Sequence, residues 1–113
     1  MKSKEIVPAL AALAHETRLA TFRLLVQAGP GGMTVGTVAE RLKVPNPTLS
    51  FHLKELAHAG LVLSVQEGRF IRCVANFAAM NSLLGYLTEN CCSGASCEVR
   101  ATECKPKTSK VIA

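Results

Sequence analysis

Four of this chain's five cysteines, Cys91, Cys92, Cys97 and Cys104, fall within one fourteen-residue stretch of its 113 residues. Thiolates are soft ligands and nucleophiles, so clustered cysteines point to a metal site or a redox switch. A secreted disulfide scaffold would instead spread its cysteines across the fold and carry an export signal. The opening Met1-Lys2-Ser3-Lys4-Glu5 leads into an amphipathic stretch without a signal-peptide core. No apolar run approaches the roughly 18 residues that span a bilayer. The expected location is therefore the cytoplasm, where thiols stay reduced and available to a metal. Cys73 stands apart on a β-prone run and reads as packing rather than a ligand, and Cys104 reads as a spare thiol in the tail.

The elements that would carry this cluster follow from periodicity. Residues 5 to about 14 are rich in Ala and Leu and predict a helix, with Pro8 in its opening turn. A second helix is predicted from Glu16 to Ala28, with Leu19, Phe22, Leu25 and Val26 on one face, and Gly29-Pro30-Gly31-Gly32 stops it. Thr34 caps a short helix carrying Val35, Val38, Ala39 and Leu42. After the turn Val44-Pro45-Asn46-Pro47, a helix over about 47–59 places Leu49, Leu53 and Leu56 inside. Two β-prone runs, 61–65 and 70–74, flank a hairpin turn at Glu67-Gly68. A last helix, about Asn76 to Glu89, carries Phe77, Met80, Leu83, Leu84 and Leu87. The fold class is mainly α with a β-hairpin wing. Residues 1–90 form one domain, and 91–113 form a cysteine-rich segment with a flexible basic tail.

Two helices across a tight turn, the second with a packed inner face and a polar outer one, describe a helix-turn-helix, and the hairpin adds a wing. The chain carries 13 Lys and Arg against 8 acidic residues, all Glu, for a net charge of +5, which suits a polyanionic partner. Near the start of the 47–59 helix lie Asn46, Thr48 and Ser50, small hydrogen-bonding groups able to reach bases or phosphates, with His52 at the edge of that face. Phe51 points outward, either toward a thymine methyl or under the wing. Lys54, Arg69 and Arg18 would supply charge beside the groove. The expected partner is double-stranded DNA.

The run Pro47-Thr48-Leu49-Ser50-Phe51-His52-Leu53-Lys54-Glu55-Leu56-Ala57-His58-Ala59-Gly60-Leu61-Val62, followed by Glu67-Gly68-Arg69, resembles the signature of the ArsR/SmtB family of metalloregulatory repressors. Leu13-Ala14-His15-Glu16-Thr17-Arg18-Leu19 resembles a second motif of that family. The resemblance covers roughly residues 8 to 90. It implies a winged helix-turn-helix homodimer, joined mainly through its first and last helices, that represses by binding an operator and lets go when metal binds. A dimer also fits the need to read two half-sites a helical turn apart. Leu10 and Leu13 on the first helix, and Met80, Leu84 and Leu87 on the last, are the candidate interface residues, set against the alternative that the last three cap their own core.

The family places its sensing ligands in different elements. A Cys-x-Cys on the first helix of the DNA-binding unit has no counterpart in Val35-Gly36-Thr37-Val38-Ala39-Glu40. The Asp, His and Glu of the zinc type are missing from the last helix, which has Asn76, Ala79 and Met80 and only Glu89 as a carboxylate. Cys91-Cys92-Ser93-Gly94-Ala95-Ser96-Cys97 resembles the C-terminal arrangement of one arsenic-responsive branch. That implies Cys91, Cys92 and Cys97 as ligands for arsenite as the effector, with antimonite as a second. Trivalent arsenic is thiophilic and favours a three-sulfur pyramid, and the small residues 93–96 form a link able to close it. Other thiophilic metals (cadmium, zinc, lead) and a thiol redox switch on the same fold remain alternatives. An enzyme is not expected, since Asp is absent and no cysteine sits in a phosphate-type loop.

Overall fold

The computed structural model describes residues 2–94. Helix α1 (Ser3–Leu13) opens with the Lys2 backbone N–H donating to the Glu5 carboxylate at 3.1 Å. Pro8 thus lies inside α1 rather than in its opening turn, because the helix starts two residues earlier than its apolar pattern suggests. The lost rung would have ended on the carbonyl of Lys4, an exposed residue that water can serve. Ile6, Ala9 and Ala12 form its buried stripe.

Helix α2 (Glu16–Ala28) is capped by His15, whose Nδ1 accepts the Thr17 backbone N–H at 3.1 Å. It buries Thr21, Phe22 and Leu25, and ends at Gly29. A short 3-10 turn (Gly29–Gly31) leads to strand β1 (Met33–Thr34), then helix α3 (Val35–Leu42), capped by the Thr34 hydroxyl as expected. Lys43 takes a left-handed conformation, φ 58°, and turns the chain into helix α4 (Asn46–His58).

Strands β2 (Val62–Glu67) and β3 (Phe70–Ala75) pair antiparallel from Val62–Ala75 to Glu67–Phe70, leaving Gly68-Arg69 as a two-residue loop. Gly68 carries the positive φ, 59°, that such a turn demands. The two-residue strand β1 pairs with β3, Met33 opposite Cys73, so the sheet order is β1-β3-β2. The hairpin is therefore one part of a three-stranded sheet. The last helix, α5 (Phe77–Leu87), starts from Asn76, whose side chain accepts the Ala79 N–H and donates to the Gly60 carbonyl.

The core lies between α2, α3, α4 and the sheet, with Leu25, Val38, Leu49, Leu56, Leu61 and Cys73 fully buried. Cys73 is a core residue, as its isolation in the chain suggests. Burial pushes its thiol above the ordinary range, partly offset by a hydrogen bond with Ser64. In α5 only Leu83 is buried. Among the described residues, no helix is long and apolar enough to cross a membrane.

Candidate nucleic-acid interface

Helix α4 is held from behind by its apolar residues and from its start by the α3 turn. Val44 donates its backbone N–H to the Ala39 carbonyl at 3.0 Å, fixing the angle at which the chain leaves α3. Leu49, His52, Leu53 and Leu56 are buried, at spacings of three, one and three that define a single stripe. Asn46, Thr48, Ser50, Phe51 and Lys54 are exposed on the opposite side, as the sequence predicts. Phe51 is 56% exposed, so it stands on the outer face and is not tucked under the wing. Arg69 is exposed at the hairpin tip. Ser50 and Lys54 meet Ser64 and Ile71 across a cleft of about 280 Å³ between α4 and the wing.

Two of the expected groove residues lie elsewhere. His52 is only 8% exposed and belongs to the inner stripe, because position 52 is three residues after Leu49 and four before Leu56. Arg18 is half-buried: its Nε donates to the Ala12 carbonyl at 2.8 Å, and its Nη1 lies 3.2 Å from Nδ1 of His52. Its charge is directed into the junction of α1, α2 and α4. Burial first, then His15, then Arg18 hold the His52 imidazole below its ordinary pKa, against the opposing pull of Glu55.

One contributor was not singled out by sequence reasoning. Arg72 bonds Glu67 through Nε at 3.0 Å and the Gly31 carbonyl through Nη1 at 3.2 Å, tying the wing to the glycine-rich loop. Its place opposite Thr34 in the β1–β3 pair is what brings it there. Exposed ion pairs contribute little energy, so this bond serves orientation more than stability.

The candidate interface residues of α1 and α5 also leave apolar surface uncovered. Leu10 is 41% and Leu87 56% exposed, while Leu13, Met80 and Leu84 line an apolar groove of about 450 Å³ together with Leu19. At the end of α5, Asn90, Cys92 and Ser93 all take left-handed backbone conformations, and the Sγ atoms of Cys91 and Cys92 lie 3.5 Å apart. Cys97 and Cys104 lie outside the described residues. Among the described residues, no three His, Cys, Asp or Glu side chains form a metal-holding group.

Residues 13–65 match a family described as a helix-turn-helix domain, spanning α2 through most of β2. A 57-residue stretch is 40% identical to an uncharacterized HTH-type transcriptional regulator of Methanocaldococcus jannaschii, covering 50% of this chain and 62% of that relative. The chain thus spans somewhat under two thirds of that relative's length. An ArsR-like transcriptional regulator from Rhodococcus sp. RHA1 superposes with a TM-score of 0.67 at 32% identity, over 80% of this chain and 82% of the other. The homodimeric winged helix-turn-helix DNA-binding domain of a possible ArsR-family regulator from Mycobacterium bovis shares the fold, with a TM-score of 0.61 at 22% identity, over 85% of this chain and 89% of that one. The chain belongs to the ArsR-like winged helix-turn-helix transcriptional regulators. These relatives are described as regulators and not as enzymes.

Proposed function

We propose that two copies of this chain bind double-stranded operator DNA and repress transcription, and that arsenite or antimonite at Cys91, Cys92 and Cys97 releases it. The DNA half of the reading is carried by α4. Its exposed first two turns present Asn46, Thr48 and Ser50, Lys54 lines the cleft between α4 and the wing, and Arg69 stands exposed at the hairpin tip. A helix so equipped docks in the major groove, with hydroxyl and amide groups at base edges or phosphates and the cations at the backbone.

A dimer supplies the second half-site, about 34–36 Å away along the duplex. The uncovered leucines of α1 and α5 favour that assembly, and the Mycobacterium bovis relative, homodimeric by description, has the same fold.

The effector half rests on the vicinal thiols. Metal–sulfur bonds of about 2.3 Å, at angles between about 90° and 110°, require sulfurs about 3.3–3.8 Å apart. The 3.5 Å separation of Cys91 and Cys92 falls in that span. Two sulfurs suit a soft, thiophilic ion, and a third from Cys97 would complete the pyramid that trivalent arsenic favours. Cys91 and Cys92 follow α5 directly, so an ion held there would act first on the candidate dimer helix.

A mobility-shift assay on the protein's own upstream DNA tests both halves. Binding that is released by arsenite or antimonite is the expected result. Release by cadmium, zinc or peroxide alone would replace the effector, and absence of any shift at low salt would remove the operator reading.

A further inference from the structure

The contact between Arg18 and His52 has a chemical consequence for the helix that carries the DNA-facing groups. A guanidinium has hydrogen-bond donors and no acceptor, so Nδ1 of His52, 3.2 Å from Arg18 Nη1, must offer its lone pair. The ring proton then sits on Nε2, and the imidazole is neutral. The same guanidinium is anchored by Nε on the Ala12 carbonyl at 2.8 Å. One side chain of α2 therefore ties the end of α1 to the middle of α4. The exposed ring of Phe51, next along α4, stands edge-on to His52 with centroids 5.4 Å apart. Phe51 thus links His52 to the outer face of the helix.

We propose that the Arg18–His52 pair is a positioning device for α4, which neutral His52 holds in its DNA-docking orientation and which opens when His52 takes up a proton. The proposal rests on the operator-binding reading for its functional consequence. Protonation would remove the acceptor and set two cations side by side in a site with little water. His15, at the α2 cap, sets a second imidazole ring 4.5 Å from His52. Its Nδ1 accepts the Thr17 backbone N–H, which fixes the ring beside His52. On α4 itself Glu55 is the opposing charge, and His58 lines the same crevice as Arg18 and Glu55. From α1 that crevice receives uncharged Pro8, Ala11 and Ala12.

The sign follows from these neighbours. Burial, His15 and Arg18 together lower the pKa of His52 below 6.5 in the folded state. As pH falls through 6.5 the unfolded chain takes the proton first. The stabilisation from neutral His52 is complete above that pH and declines below it, toward the folded value. Operator affinity, which depends on His52 within the folded protein, should decline only as the pH falls through that lower folded midpoint.

The full-length chain, labelled with ¹⁵N, allows the test. Imidazole nitrogen shifts should show His52 as the Nε2–H tautomer near neutral pH, with a midpoint below 6.5. The α4 amides of Ser50, Phe51 and Lys54 should titrate with that midpoint. Affinity for a duplex carrying the protein's upstream sequence should be level above pH 6.5 and fall severalfold as the pH drops through the His52 midpoint. His52→Asn, whose side-chain oxygen can still accept from Arg18 but cannot titrate, should bind normally at neutral pH with a flat profile. Arg18→Gln should raise the His52 midpoint. A His52 ring protonated on Nδ1 at neutral pH, a midpoint at or above 6.5, or an acid loss that persists unchanged in His52→Asn would overturn the proposal. If no duplex bound at any pH while His52 and the α4 amides titrated together, the operator reading would fail and the positioning pair would stand.

Discussion

Gly32 lies against the backbone carbonyl of Cys73, so close that a Cβ on residue 32 would overlap the oxygen and press on the Val74 side chain. Its φ of 65° is also left-handed. This approach is what lets β1 pair with β3 and carry the Thr34 cap to the start of α3. Gly32→Ala combines a backbone strain with overpacking and is expected to cost about 2–4 kcal/mol. Gly31→Ala, with open space around its Cβ, should stay within about 0.5 kcal/mol of the parent. Urea unfolding of the two variants checks the contrast.

Lys54 and Arg69 are exposed and outside the core, so replacing either by Ala should leave stability unchanged while weakening DNA binding. If each contacts one phosphate, the slope of log affinity against log salt should become shallower by about 0.9 per residue. Ser50→Ala should instead alter which sequences bind, by about 1–3 kcal/mol per lost base contact. Anisotropy titrations at several salt concentrations separate the two behaviours. Unchanged slopes in both charge variants would remove this face from the DNA.

Leu87 is largely exposed on α5, whereas Leu83 beside it is buried. Leu87→Glu should therefore leave the monomer folded but place a charge in the proposed dimer seam. Sedimentation should show half the parent mass, and operator binding should be lost. Leu84→Glu, at a half-buried position, should do the same with some loss of stability. A dimer that survives both changes would place the interface elsewhere.

Single Cys91→Ser, Cys92→Ser and Cys97→Ser changes should abolish release by arsenite while repression without arsenite survives. Cys73→Ser, buried in the core, should lower stability and leave the response intact, and Cys104→Ser should change neither. A hundredfold loss of operator affinity on binding corresponds to a coupling of about 2.7 kcal/mol, and DNA must weaken arsenite binding by the same factor. X-ray absorption should find three sulfurs on arsenic. Normal release in Cys97→Ser, or loss of release in Cys104→Ser, would require another ligand set.

Much of the architecture is written in short-range pattern. The spacing of Leu49, Leu53 and Leu56, the Thr34 cap, and Gly68 at the hairpin each act within a few residues, and the structure has all of them in the expected places. The polar outer face of α4 follows from the same periodicity. His52 was legible too, since its spacing from Leu49 and Leu56 sets it on the buried stripe. Its polarity drew it toward the groove in a reading based on residue type.

Other features were decided by contacts distant in the chain. Arg18 meets His52 across 34 positions, and no local rule distinguishes a cation that faces solvent from one that finds a buried imidazole and a helix-end carbonyl. Strand β1 is two residues long, too short to show alternation, and exists because β3 offers backbone partners at Cys73 and Arg72. Sequence by itself determined the five helices, the hairpin and their order, because helix caps and hydrophobic periodicity operate along the chain. Tertiary structure decided which polar side chains turn inward and how closely Gly32 must approach Cys73, because those depend on surfaces that meet only once the chain has folded.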